Sequence, residues 1–307
     1  MAIVSKSSHQ TDITRYFHDF DCRQHIFGAR QPLLTGLTAA NSRHPSSAQF
    51  QKEKTLSKLW ILSDLHLESI PYPGAFSPAR PDFDVLVAAG DIWQSDIKRG
   101  LGFLTRLADG KPVVFVMVNH EYWRGNLGTE LQKARDLAGK AGIILLENEA
   151  VTLAGCHFVG ATLWTDYELA GDLADKENPT GELISVSDEK SSRPFTIADC
   201  AATHSVTRKY LTAEILGHDS TVPLVVVTHH APHLDCLPQH VRGTWAAGNC
   251  ASDLSELTDS GKAALWINGH IHESSCIHRP GGTRIICNPA GTRFSNSRFD
   301  EALVVEV

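Results

Sequence analysis

Five short apolar runs in this chain each stop on a residue able to ligate a metal ion, and no other feature limits its fold so tightly. Leu59-Trp60-Ile61-Leu62 stops at Ser63-Asp64, Val85-Leu86-Val87-Ala88-Ala89 at Gly90-Asp91, and the valine-rich run 113–118 at Asn119-His120. Leu224-Val225-Val226-Val227 stops at Thr228-His229, and Ala263-Ala264-Leu265-Trp266-Ile267 at Asn268-Gly269-His270. Runs this short, rich in Val and Ile, predict strands buried on both faces. Helix-like segments lie between them at Ile97–Ala108, 127–140 and 198–216. Alternation of strand and helix predicts a layered α/β fold. Ligands of such sheets collect beyond the carboxyl ends of the strands, so five strands ending in candidate ligands predict one shared site. Further pieces at 151–153, 157–159, Arg284–Cys287 and 303–307 predict hairpin or meander strands, with turns at Gly155, Gly281-Gly282 and Asn288-Pro289. Two mixed sheets flanked by helices accommodate all of these pieces.

The donors at the strand ends are oxygen and nitrogen, without thiolate. Asp64 and His66 are two residues apart, as are His270 and His272, so each pair can aim at one side of a strand end. Asp91 offers a carboxylate able to bridge, Asn119 a neutral amide oxygen and His229 an imidazole. Such a set suits Mn, Fe or Zn. It exceeds what one four-coordinate ion needs and suits two ions that keep positions open for water. Singly, each block also reads as a surface turn or a capped loop. Their recurrence, each directly after an apolar run, weighs against that reading.

Composition narrows the partners. Lys+Arg number 28 against Asp+Glu 35, a net charge of −7, so no broad basic footprint supports nucleic-acid binding. No stretch is apolar for long enough to span a bilayer, and the first twenty residues carry no apolar core of a secretory signal. The seven cysteines form no C-x-x-C pair and are odd in number, which predicts thiols in a reducing, cytoplasmic setting. Residues 1–55 are polar without sustained apolar period and predict a poorly ordered N-terminal extension.

The blocks D-x-H (Asp64, His66), G-D (Gly90, Asp91), N-H-E (Asn119, His120, Glu121), H-H-x-P (His229, His230, Pro232) and G-H-x-H (Gly269, His270, His272) resemble those of the calcineurin-like metallophosphoesterase family. The resemblance covers the chain from about Leu59 to the C-terminus, and a metallophosphoesterase domain is expected over 56–307. It implies a four-layer αββα sandwich of two mixed β-sheets flanked by helices, with two divalent metal ions at the strand ends. By position, it implies that Asp64, His66 and His272 hold one ion and Asn119, His229 and His270 the other. Asp91 would bridge them, and His120 would contact the phosphate and assist the leaving group. The implied reaction is hydrolysis of a phosphate mono- or diester by in-line attack of an activated water. The implied substrate is a phosphorylated small molecule or nucleotide. A non-catalytic scaffold on the same fold is the alternative; loss of ligands usually marks that fate, and all seven are present.

Two departures from the family pattern stand out. Val118 occupies the place of the usual Gly before Asn-His, where a β-branched residue resists conformations open to Gly. Relatives also commonly begin near the first strand, so a natural start near Leu56, at a non-standard codon, is an expectation; Met1 and Met117 are the only methionines. Substrate selection is expected from the loops: Trp123 and Trp164 as rim residues, the polar stretch 165–194 as a lid, His233 and His240 approaching the site, and Arg242 and Arg293 contacting phosphate.

Overall fold

A computed structural model describes residues 56–175, 177–187 and 191–307. The expected N-terminal extension, residues 1–55, lies outside the described residues. In chain order the strands are β1 (Lys58–Leu62), β2 (Val85–Ala88), β3 (Val113–Phe115), β4 (Ile144–Leu145), β5 (Glu149–Leu153), β6 (Cys156–Ala161), β7 (Ser185–Ser187), β8 (Ser192–Pro194), β9 (Leu224–Thr228), β10 (Ala263–Asn268), β11 (Ser275–His278), β12 (Arg284–Cys287) and β13 (Val304–Glu306). The helices are α1 (Ile97–Ala108), α2 (Asn119–Tyr122), α3 (Leu127–Ala141), α4 (Ile197–Leu216), α5 (Trp245–Cys250) and α6 (Ser255–Thr258).

Eleven of these strands form two mixed sheets, and β7 and β8 pair with each other as a separate antiparallel ribbon. One mixed sheet has the order β13-β1-β2-β3-β4, and the other β11-β12-β10-β9-β6-β5. Within the first, β1, β2, β3 and β4 run parallel and β13 closes one edge antiparallel. Within the second, β12, β10, β9 and β6 are parallel, with β11 and β5 antiparallel at the edges. The parallel strands therefore present their carboxyl ends together.

Strand alternation builds three apolar layers. Leu59, Ile61, Val85, Val87 and Val114 of the first sheet face Phe158, Val225, Val227, Leu265 and Ile267 of the second. The intervening residues point outward: Trp60, Leu62, Leu86 and Phe115 pack against Leu101 and Leu104 of α1 and Ala134 and Ala138 of α3. On the opposite side Val226, Trp266 and Ile285 pack against Leu211 and Ile215 of α4. Each such aliphatic or aromatic side chain contributes roughly 1.5–3 kcal/mol on full burial. The arrangement is the expected four-layer αββα sandwich.

The helices start and stop on recognisable residues. Asp96 caps α1 by accepting the Arg99 amide at 3.1 Å, and Asn126 caps α3. Thr196 and Asp199 bond reciprocally at the start of α4, at 3.2 and 2.9 Å. The run 113–118 yields a shorter strand than expected. The Val116 amide still donates to Ala88 O at 3.1 Å, and beyond it the Met117 carbonyl accepts from the Thr162 hydroxyl at 2.7 Å. The two sheets are tied near the strand ends by the Asn288 amide donating to the Ile61 carbonyl at 2.9 Å and by Ala290 N–H donating to Ser63 O at 3.0 Å.

Candidate metal centre

The donors expected at the strand ends come together. One oxygen or nitrogen from each of Asp64, His66, Asp91 and His272 lies within 4.8 Å of the others, and the same holds for Asp91, His229 and His270. Asp91 belongs to both groups. Its Oδ2 is 3.4 Å from His66 Nε2 and 3.4 Å from His229 Nε2, while its Oδ1 accepts the His120 amide at 3.2 Å. His66 Nε2 and His272 Nε2 are 3.1 Å apart, and His229 Nε2 and His270 Nδ1 3.2 Å. Asp64 accepts the His270 amide at 3.0 Å and lies 3.3 Å from His272 Nε2.

Asn119 supplies the test of fit. Its Nδ2 donates to Glu182, whereas its Oδ1 is buried without a hydrogen-bond partner. An orphaned buried acceptor costs about 1–3 kcal/mol, a cost that a cation beside it would remove. Convergent carboxylate and imidazole donors together with an unclaimed amide oxygen fit hard or borderline divalent cations. Asp64, His66, Asp91, Asn119 and His229 are almost wholly buried, while His120, His270 and His272 are half-buried.

The backbone is bent to the same end. Asp64 (φ 51°), His66 (41°), Asp91 (53°), His270 (70°) and His272 (56°) all adopt the left-handed region. Non-glycine residues there cost on the order of 1–3 kcal/mol each and cluster at functional sites. Gly269 is needed for space: a Cβ there would lie 2.5 Å from Asp64 Oδ2 and 3.0 Å from His229 Nδ1.

Other groups orient the donors. His229 Nδ1 donates to the Ala89 carbonyl at 2.8 Å, which turns Nε2 toward Asp91. Glu68 sits 3.3 Å from His66 Nδ1 and accepts the Gln94 amide at 2.9 Å. Such partners fix ring orientation and raise ligand basicity. Glu121 accepts the amides of Asp91, Ile92 and Val118 at 3.1, 2.7 and 3.2 Å, tying the turn after β2 to α2. Burial and the Asp91 charge push its carboxyl up to about 8. Burial opposes charge on His66 and His229, but Asp91 and Asp64, joined by Glu68 at His66 and by the Ala89 carbonyl at His229, together outweigh it and raise both to about 9. Burial likewise opposes ionisation of Asp91, yet the imidazoles of His120, His229 and His66 hold it well below the usual carboxylate range. Burial lowers His120 to about 4.

Several loop expectations are revised. Val118 is extended (φ −143°) and its side chain packs over Gly90, itself at φ 90°; the β-branch is accommodated because its neighbour lacks a Cβ. Trp123 does reach the site, stacking on His120 with centroids 3.9 Å apart. Trp164 is no rim residue: it is 2% exposed and packs 4.9 Å from Phe195, because its strand end turns into the core. His233 and Arg242 are engaged elsewhere. His233 Nδ1 accepts the Asp235 amide at 3.0 Å, and Arg242 donates to the Leu237 and Asp235 carbonyls. His240 is exposed and acts on Glu273, and Arg293 is exposed with its amide on Ser69 Oγ at 2.8 Å. Of the pair His229-His230, only His229 joins a donor group; His230 lies buried, 5.5 Å from the Trp164 ring. Within 165–194, Glu182 touches Asn119 and Trp123. Sequence reasoning missed Glu182, Glu68 and Gln94, since a lone acid or amide in a polar stretch carries no pattern.

Several known proteins are similar to this chain. A relative from Acanthamoeba polyphaga mimivirus, the uncharacterized protein L509, is 25% identical over 280 residues, 81% of this chain and 96% of that protein. Among solved structures, the phosphopantetheinyl hydrolase PptH from Mycobacterium tuberculosis shares the fold with a TM-score of 0.58 at 21% identity, over 82% of this chain and 96% of that one. A dimetal phosphatase from Danio rerio is more distant, with a TM-score of 0.46 at 15% identity over 76% of this chain and 87% of its own. No described helix is long and apolar enough to cross a membrane. The sequence profile of the calcineurin-like phosphoesterases matches residues 57–274, most of the sandwich and every donor in it, and the chain belongs to that family.

Proposed function

We propose that this chain is a metal-dependent hydrolase of phosphate mono- or diesters, using two divalent ions of Mn, Fe or Zn. The reading rests on one observation above the rest: a single Asp91 oxygen stands 3.4 Å from a histidine of each donor group. In this reading Asp64, His66 and His272 hold one ion, Asn119, His229 and His270 the other, and Asp91 is shared. When bound, such a pair supplies Lewis-acid polarisation of phosphoryl oxygens and an acidified water.

The protein's own groups do the rest. The Gln94 side-chain amide, 3.3 Å from His120 Nδ1, has a donor at one end and an acceptor at the other, so it holds that nitrogen in either tautomer. Nε2 of His120 is then left for the phosphoryl or departing oxygen. Trp123 stacked on the ring restricts its rotation and excludes water from one face. Burial of Asp64 and Asp91 keeps the site's field unscreened. The substrate is a phosphorylated small molecule or nucleotide, and the name of the similar Mycobacterium tuberculosis protein makes a phosphopantetheinyl compound one substrate to assay.

The test combines metal analysis of the purified protein with parallel hydrolysis of mono-aryl and bis-aryl phosphates under added Mn²⁺, Fe²⁺ or Zn²⁺. The expected result is turnover that vanishes with chelator and in Asp91→Ala. Two bound ions without hydrolysis of either ester class, with any of the metals, would overturn the catalytic reading.

A further inference from the structure

The polar stretch 165–194 reaches the candidate centre through one carboxylate. Backbone bonds lace this stretch to the loop after α2: Arg124 N–H donates to Leu183 O at 2.6 Å, and Ser185 N–H to Gly125 O at 3.0 Å. Glu182 is thereby set beside Asn119. Both its oxygens accept from Asn119 Nδ2, at 3.2 and 3.3 Å, and Oε2 also accepts the Trp123 indole N–H. Asp91 and His229 stand close enough for their charges to act on it.

An asparagine amide has two ends of nearly equal shape, and only the oxygen end attracts a cation. Nothing in Asn119 itself chooses between them. A carboxylate can only accept, so it captures the amino end and leaves Oδ1 turned away, buried and unclaimed. The same carboxylate pins the indole that lies on His120, 3.9 Å away at an interplanar angle of 25°. We propose that Glu182 is a positioning residue: it fixes the Asn119 amide with Oδ1 toward the group formed by Asp91, His229 and His270, and it holds Trp123 flat against His120. The inference rests on the two-ion reading above and adds a residue that no family block contains.

The charge state matters as well as the length. Glu182→Gln keeps the volume but puts an amino group where one acceptor oxygen stood, so it loses one of the two contacts to Asn119 Nδ2 and the charge that strengthens the bonds that remain. Metal affinities of the folded proteins, read by competition with a chromophoric chelator, decide the matter. Glu182→Gln and Glu182→Ala should weaken one ion of the two by about 10–100-fold, the scale for groups that orient a ligand. The other ion should be untouched. Asn119→Ala should weaken the same ion, and Glu182→Ala combined with Asn119→Ala should be no worse than Asn119→Ala alone, because both act through one amide. Native-like binding of both ions in the Glu182 variants, equal weakening of both, or full additivity in the double variant would each overturn the proposal. Native protein that holds fewer than two ions, or Asn119→Ala that keeps both, would instead sink the two-ion reading. If Glu182→Ala does not fold, the same comparison is made with Glu182→Gln, which opens no cavity.

Discussion

Gly269→Ala offers a severe test of the site geometry because it replaces no expected ligand. The added Cβ would stand 2.5 Å from Asp64 Oδ2 and 3.0 Å from both His229 Nδ1 and Ser63 Oγ, where ordinary contact begins at 3.4 Å. Relief requires Asp64 to retreat by about 0.9 Å, on the scale at which misplacement costs about 10²-fold in rate. Asp64 cannot move freely, since both its oxygens accept the His270 amide. The expected outcome is therefore a fall in kcat/KM of about 100-fold, or about 2.7 kcal/mol, with weaker binding of both ions. The overpacking itself costs about 1–3 kcal/mol and should lower the metal-free melting temperature by several degrees. The assay is aryl phosphate turnover over a Mn²⁺ titration, alongside melting of the chelated protein. Turnover within about threefold of native at limiting metal would refute the claim that Gly269 is there to let the two donor groups approach.

Two other perturbations separate chemistry from support. His120→Ala should retain both ions by elemental analysis while kcat falls by roughly 10²–10⁴-fold, the range of a positioned acid; parallel loss of metal would contradict its role. Glu147 is buried against the amide and hydroxyl of Thr162, at 2.8 and 2.6 Å, and burial raises its carboxyl to about 7. The folded state then keeps a proton that the unfolded chain releases near pH 4, so stability falls as pH rises from there through 7, by up to roughly 3 kcal/mol. Urea midpoints of native protein and Glu147→Gln should therefore diverge with pH across that window, in favour of the variant; a pH-independent difference would disprove the assignment.

Much of the architecture was legible in the sequence because burial on both faces leaves a plain mark. β1, β2, β9 and β10 occupy the apolar runs that end in Asp64, Asp91, His229 and His270 to within a residue or so. The run 113–118 misled only at its end, where the Met117 carbonyl accepts from the hydroxyl of Thr162, a residue 45 positions away. Pairwise spacing exposed Asp64 with His66 and His270 with His272, but not Glu182. Its place is set by backbone bonds to Arg124 and Gly125, which no local pattern encodes. Trp164 and Trp123 look alike as aromatic residues near strand ends; packing against Phe195 takes one into the core and stacking on His120 takes the other to the site.

The left-handed bends at Asp64, His66, Asp91, His270 and His272 constrain how this chain can drift. Asp, Asn, His and Gly tolerate that conformation best, and β-branched residues tolerate it least. At five positions, then, the shape of the main chain and the needs of a cation select overlapping alphabets. A descendant released from catalysis would still be drawn by folding alone to Asp, Asn, His or Gly there. Asn119 and His229 are not among the left-handed residues, so their retention or loss across relatives is the cleaner record of whether chemistry is still under selection.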